Sequence, residues 1–338
     1  MKFANPAPIQ GTYVVTHDVA SRLQSFRSQN IMVPRQNDPL FGQFHQHLLE
    51  KMRHALPDMV IKTIDMGELR LNVRKEVESR VIDSSKQVVI STCPEITDPN
   101  PDGESLTLDI NRLFNTNGVM IGHGPRPGFD SLNKQFDELA RKITGRCTIL
   151  IKDGAFTGGT FRFIHRELKS RGIDVTTVII GFCCARARET IKQAFDGEIV
   201  IVNPIENLID WIPDHDLIPF VHNCGRILGE QVPQGFMPIK TADGFSCAYP
   251  YILPFGRIEE WASLPVGNAL DLSRFCLDMS IELFARVTRP SGRKITIGEL
   301  LEGNPRVSIP VEIGNNMEIP TLDTEIVAYL EYVRKRLE

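Results

Sequence analysis

A chain of 338 residues is long enough for one large domain or two ordinary ones, with ample material for a buried core. Hydrophobic content of 42% and charged content of 24%, without any low-complexity tract, are those of a soluble globular protein. The formal net charge of −4 offers no basic excess for phosphate backbones, so nucleic acid is not indicated as a partner.

The opening stretch, MKFANPAPIQGTYVVTHDVA, lacks the apolar core of a signal peptide, and no run approaches 18 uninterrupted apolar residues. The seven cysteines form no CxxC pair and several sit inside apolar runs, which predicts reduced thiols and a cytoplasmic protein without a membrane partner. Residues 38–56 carry helical periodicity up to Pro57. His45 and His47 are two apart on that helix, point to different faces, and are expected at the surface. Short apolar runs at 59–64 and 87–92 read as strands, and the turn-rich 94–105 reads as a surface loop.

From 118 onward the pattern becomes regular. Strands are predicted at 118–123, 146–152, 174–184 and 198–202, with helices at 129–143, about 160–170 and 185–195. Continuous β-branched runs alternating with amphipathic helices predict an α/β fold, a parallel sheet with helices on both faces. The organisation expected is a helical or mixed N-terminal extension over 1–85, the α/β core over 86–205, and a hood and C-terminal segment over 206–338. Within the last segment, the proline- and aromatic-rich 208–265 is expected to be irregular, with helices at 268–287 and 321–337. His222 and Cys224 supply two ligands without a second pair and define no metal site.

The chemistry concentrates in ILIKDGAFTGGT, residues 149–160. A strand ends at Asp153, a small-residue loop follows, and a helix begins. Gly158 and Gly159 allow the positive-φ turns that aim several N–H groups inward, Thr157 and Thr160 add hydroxyls, and the helix N-terminus favours an anion. The lysine of a Walker A loop is absent and GxGxxG is not matched, so the ligand expected is a phosphate monoester.

This order resembles the 5-phosphoribosyl 1-pyrophosphate (PRPP) motif of type I phosphoribosyltransferases, as a divergent member. In that family two adjacent acids hold the ribose hydroxyls and a Thr-Gly-Gly-Thr loop holds the 5-phosphate. The resemblance makes Asp153 the second acid and assigns the phosphate loop to Ala155, Phe156, Thr157, Gly158, Gly159 and Thr160. It implies catalytic roles for Asp153 and for the residue before it, with Mg²⁺ near Asp153 if the protein is catalytic. Lys152 stands at the first acidic position. Either it serves a substrate other than ordinary PRPP, or it turns outward and the site only binds.

By the same resemblance GHGPRPG, 122–128, falls where the family places its pyrophosphate loop, which nominates Gly124 and Arg126. The short spacing to the next strand leaves no room for the long mobile hairpin of many family members. In the hood, Trp211 is the candidate for base stacking, with Asp210, Asp214 or Asp216 reading base edges. The arginines of CGRILG and PFGRIEEW read as solvated, whereas Arg186 and Arg188 are expected to face the cleft. Two functions follow. One is transfer of a phosphoribosyl group to a base-like acceptor with release of pyrophosphate. The other is a non-catalytic sensor of a phosphorylated ribose or nucleotide, or an interaction module, with a homo-oligomer or protein partner as the accompanying expectation.

Overall fold

The structure is a computed structural model describing residues 11–81, 83, 85–97, 105–143, 145–301, 306–313 and 320–338. In chain order its strands are β1 (Thr12–His17), β2 (Val60–Asp65), β3 (Gln87–Ser91), β4 (Ser105–Thr107), β5 (Ile110–Phe114), β6 (Met120–Pro125), β7 (Cys147–Ala155), β8 (Val175–Cys184), β9 (Glu198–Ile205), β10 (Leu208–Pro213), β11 (Arg226–Ile227), β12 (Gly229–Val232), β13 (Gly235–Pro238), β14 (Ser246–Tyr249) and β15 (Ser308–Pro310). The helices are α1 (Val19–Gln24), α2 (Pro39–Ala55), α3 (Met66–Glu78), α4 (Leu132–Ile143), α5 (Gly159–Ser170), α6 (Ala185–Lys192), α7 (Ile258–Trp261), α8 (Val266–Ala285), α9 (Ile297–Leu301) and α10 (Ile326–Lys335).

Five strands form a wholly parallel sheet in the order β4-β3-β7-β8-β9. Side chains of a strand alternate between faces, and here both faces are apolar. Val88, Ile90, Leu150, Val178 and Ile180 pack with Phe136 and Leu139 of α4, Phe161 and Ile164 of α5, and Ala187 and Ile191 of α6. Their neighbours Val89, Ile149, Ile151 and Ile179 pack the other way, against Leu69, Val73 and Val77 of α3. This is the α/β architecture with covered faces that continuous apolar strands require.

A second parallel sheet, β10-β1-β2, joins the N-terminal part of the chain to the strand that follows β9. Val14 of β1 lies in the core on the α3 side of the first sheet, while Tyr13 and Val15 belong to a larger core shared by α2, α8 and α10. Neither β1 nor β10 is visible as a strand in the sequence reading, because each is short and its partner lies far away along the chain. β10 also shows that 208–213 is regular rather than irregular.

Segment 118–123 belongs elsewhere than expected. β6 pairs antiparallel with β5 and is no member of the core sheet, so residues 110–125 form a hairpin between β4 and α4. The hairpin ends within GHGPRPG, and only α4 lies between that segment and β7. Among the described residues no helix is long and apolar enough to cross a membrane, and all seven cysteines are free thiols.

Phe161 is fully buried and meets Phe195 edge to face at 5.6 Å beneath the β7–α5 junction. Phe161→Ala should lower the unfolding free energy by about 3–5 kcal/mol in urea titrations. A change below about 1 kcal/mol would mean that this junction is not packed as described.

Candidate functional site

The sheet reverses direction of growth between β3 and β7, because β4 lies on one side of β3 and β7, β8 and β9 extend on the other. At such a reversal the chains leaving the two central strands diverge, opening a crevice at their carboxyl ends. Here those ends carry Thr92, Cys93 and Glu95 after β3, and Lys152 and Asp153 within β7. They line a cleft of about 590 Å³.

The loop after Asp153 is shaped by glycine at two points. A Cβ on Gly154 would stand 2.3 Å from the Phe182 ring, so no side chain fits there. Gly158 has φ +76° and caps the N-terminus of α5, and a Cβ on it would press against Thr190 and the Ala187 carbonyl. The first-turn amides of α5 have no intrahelical acceptors, and the Thr157 and Thr160 side chains stand beside them at the cleft. The Thr157 hydroxyl accepts from Gly159 N–H at 3.3 Å. The Thr160 hydroxyl meets His123 Nε2 at 3.2 Å, and His123 stacks on Phe163 at 4.5 Å.

Lys152 does not turn outward. It lines the cleft, and its Nζ donates to Asp153 Oδ1 at 3.1 Å, the same oxygen that accepts Gly154 N–H at 2.7 Å. Burial works to raise the Asp153 carboxyl, but Lys152 and the Gly154 N–H outweigh it and hold it below the usual range.

Arg126 also lines the cleft, part-buried, and donates to the Thr92 carbonyl at 2.8 Å. Its Nε is buried without a hydrogen-bond partner. Glu95 lies between two arginines, accepting from Arg22 at 2.6 Å and from Arg126 at 3.4 Å. Burial alone would raise Glu95, yet Arg22 and Arg126 pull it down to about 2. Gly124, by contrast, lies within β6 opposite Asn111 and outside the lining, and a Cβ on it would strike Leu113 at 2.3 Å. Its smallness serves the packing of the hairpin against Leu113 and the Phe236 carbonyl.

The opposing elements contribute aromatic and acidic groups. Trp211 on β10 lines the cleft, donates its indole N–H to the Thr16 hydroxyl at 3.2 Å, and meets Phe182 edge to face at 4.7 Å. Asp210 accepts from Ser263 at 2.7 Å, and burial raises its carboxyl. Asp216 reaches the cleft, but Asp214 is fully buried and does not line it. His215 bridges Asp18 at 2.7 Å and Asp216 at 3.4 Å. Arg226 is not solvated. It sits over Trp261, Phe114 and Tyr251 at 4.2, 4.7 and 5.6 Å and donates to the Gly118 carbonyl. Arg186 and Arg188 are exposed on α6 and are not among the residues that line the cleft.

Lys152, Asp153, Ala155 through Thr160, Arg126 and Trp211 thus meet in one cleft. Asp18, Arg22, Glu95, His123 and Arg226 join them unforeseen by the sequence reading. The one available signal was the acid at the end of YVVTHD, a strand-like run closing in Asp18. As a whole the cleft offers amide and hydroxyl donors for a phosphate, several cations, and carboxylates beside aromatic rings.

No family model matches this sequence, and no curated protein matches it. Solved structures align with part of it. Adenine phosphoribosyltransferase from Thermoanaerobacter pseudethanolicus covers 45% of this chain and 92% of its own at 9% identity and TM-score 0.29. TT1426 from Thermus thermophilus covers 42% and 85% at 13% identity and TM-score 0.29. A protein of Neisseria gonorrhoeae solved with bound ppGpp covers 44% and 82% at 9% identity and TM-score 0.30. At such scores these likenesses carry no argument about function.

Burial, with Arg112, Lys152 and Arg166 nearby, depresses the His123 imidazole to about 4 from an ordinary 6.5. Between those values the unfolded chain takes up a proton that the folded protein refuses. Stability is therefore lost as pH falls through that window. Urea titrations across pH 4–7 should show a shallower pH slope for His123→Gln than for the parent. Parallel slopes would contradict the buried, neutral His123.

Proposed function

We propose that the cleft binds a ligand carrying a ribose 5-phosphate, PRPP being the fullest match, and transfers its phosphoribosyl group to a base-like acceptor. The observation that carries this reading is the convergence of the Thr157–Thr160 loop, Asp153 and Arg126 at the reversal point of the sheet. In the reaction, the bond from ribose C1 to the pyrophosphate oxygen breaks and a bond from C1 to an acceptor nitrogen forms. The acceptor gives up its proton and pyrophosphate departs.

Each group has work suited to its position. The 157–160 amides and hydroxyls hold the 5-phosphate, and Asp153 accepts hydrogen bonds from ribose hydroxyls. Arg126, with an unspent Nε, and Lys152 face the charge that grows on departing pyrophosphate. Trp211 offers a ring to the base, and Asp210 or Asp216 offers an acceptor to its edge. Positioning and charge placement supply most of the rate enhancement in this scheme.

Asp153 is the one acid of the motif, and its Oδ1 already accepts from an ammonium. Such a donor set fits Mg²⁺ arriving on the ligand's phosphates rather than a resident ion. Bound there, Mg²⁺ would neutralise charge on the pyrophosphate. The Lys152–Asp153 pair also favours a second reading, a sensor that holds a phosphorylated ribose or nucleotide without turning it over, because that pair competes with the ribose hydroxyls.

Calorimetry separates the two. PRPP, ribose 5-phosphate and nucleoside monophosphates are titrated with and without Mg²⁺, with Gly158→Asp as the control. The transferase reading predicts Mg²⁺-dependent PRPP binding, weakened at least about tenfold in a folded Gly158→Asp variant, where strain and a like charge both oppose the phosphate. Binding of a monophosphate without Mg²⁺ would favour the sensor, and no binding of any ligand would reject both. In the same assay Lys152→Asp should weaken PRPP binding about tenfold if the ammonium contacts the ligand. Stronger binding would show that it blocks the site.

A further inference from the structure

His17 at the end of β1, His45 in the middle of α2 and Asp214 directly after β10 converge although they are far apart in the chain. We infer that they form a binding site for a first-row divalent cation of the Zn²⁺ type, separate from the phosphate loop. One ligand atom from each residue lies within 4.8 Å of the others, and this is the one such group among the described residues.

Asp214 is fully buried and rigidly held. Its Oδ1 accepts the backbone N–H groups of Asp18 and Val19, both at 2.9 Å, which turns Oδ2 toward the two imidazoles. His17 Nδ1 stands 2.5 Å from that oxygen and His45 Nδ1 stands 3.8 Å from it. Bonds of about 2.0–2.1 Å in a tetrahedral site put neighbouring ligand atoms about 3.3 Å apart, a separation that these two distances bracket. A sub-ångström parting of His17 from Asp214 and a small turn of His45 would seat an ion.

His45 supplies the second observation. It is not at the surface as its sequence suggested: it stacks on His17 at a ring separation of 4.2 Å, and both of its ring nitrogens are buried without a hydrogen-bond partner. Buried imidazole nitrogens are normally paired, and a cation on Nδ1 would pair one of them. Two imidazoles and one carboxylate suit Zn²⁺ or Fe²⁺ better than Mg²⁺ or Ca²⁺, which favour all-oxygen sets. Asp18 and His215, the chain neighbours of two ligands, line the cleft. An ion here would therefore fasten β1, β10 and α2 together directly behind the Asp18–His215 pair. The inference is independent of the ligand proposed for the cleft.

The full chain, stripped with a chelator, is titrated with Co²⁺ while visible absorbance is read, and Zn²⁺ is then added as competitor. One Co²⁺ per chain, displaced by Zn²⁺, is expected. Loss of partners one shell out typically weakens metal affinity 10- to 100-fold, so His45→Gln should weaken it about 100-fold or more. His47→Gln, on the exposed side of the same helix, should leave it unchanged. Circular dichroism confirms that each variant folds. If His45→Gln does not fold, paramagnetic shifts of the His17 and His45 imidazole resonances in the unaltered protein give the same answer. No saturable binding, binding unaffected by His45→Gln, or unshifted resonances would overturn the site and leave Asp214 hydrogen-bonded to His17 with His45 stacked beside them.

Discussion

The divergence of chain at the β3–β7 boundary is the constraint on which the other features depend. Parallel strands need crossovers, and where two adjacent strands send their crossovers to opposite sides, their carboxyl ends stay uncovered. In this protein that bare edge presents Thr92, Lys152 and Asp153, and the loop into α5 extends from it. The hairpin β5–β6 and the second sheet wall the opening in, so it becomes a cleft with cations on its floor and aromatic rings among its walls.

Charge is arranged around that cleft with more pairing than openness. Glu95 is shared between Arg22 and Arg126, Asp18 between Arg22 and His215, and Asp153 is held by Lys152. Burying so many ionised groups is tolerable only because each meets an opposite charge and further hydrogen bonds. Arg22 and Arg126 share Glu95, and Asp18 and Asp109 each lie against one of them, so these two cations are balanced within the protein.

Much of the core was legible in the sequence because its signals are local. β7 and β8 are marked by the apolar runs ILI and VIIGFCC, and the stripe of Phe161, Ile164 and Leu168 marks α5. The loop into α5 was readable for the same reason, since its glycines and threonines are contiguous. What escaped the sequence depends on distant pairing. β1 is recognisable only beside β2 and β10, and that sheet is what brings Asp18, Arg22 and His215 to the cleft. Glu95 sat in a turn-rich stretch that reads as solvent-facing, and only its two arginine partners explain its burial. Gly124 lies in β6 against Leu113 and not among the cleft-lining residues, and a glycine between bulky neighbours looks in sequence like one beside an anion. His45 misled because one helical face is buried only by a partner, the β1–β10 edge, that its own period does not name.

Hydrogen–deuterium exchange of the full chain with and without PRPP and Mg²⁺ tests the central claim most directly. If the cleft at the sheet reversal receives the phosphorylated ribose on the 157–160 loop, amides across 153–162 should exchange at least about tenfold more slowly with ligand, since opening must then compete with binding. Unchanged exchange there at saturating ligand, or protection confined to another part of the chain, would contradict the account.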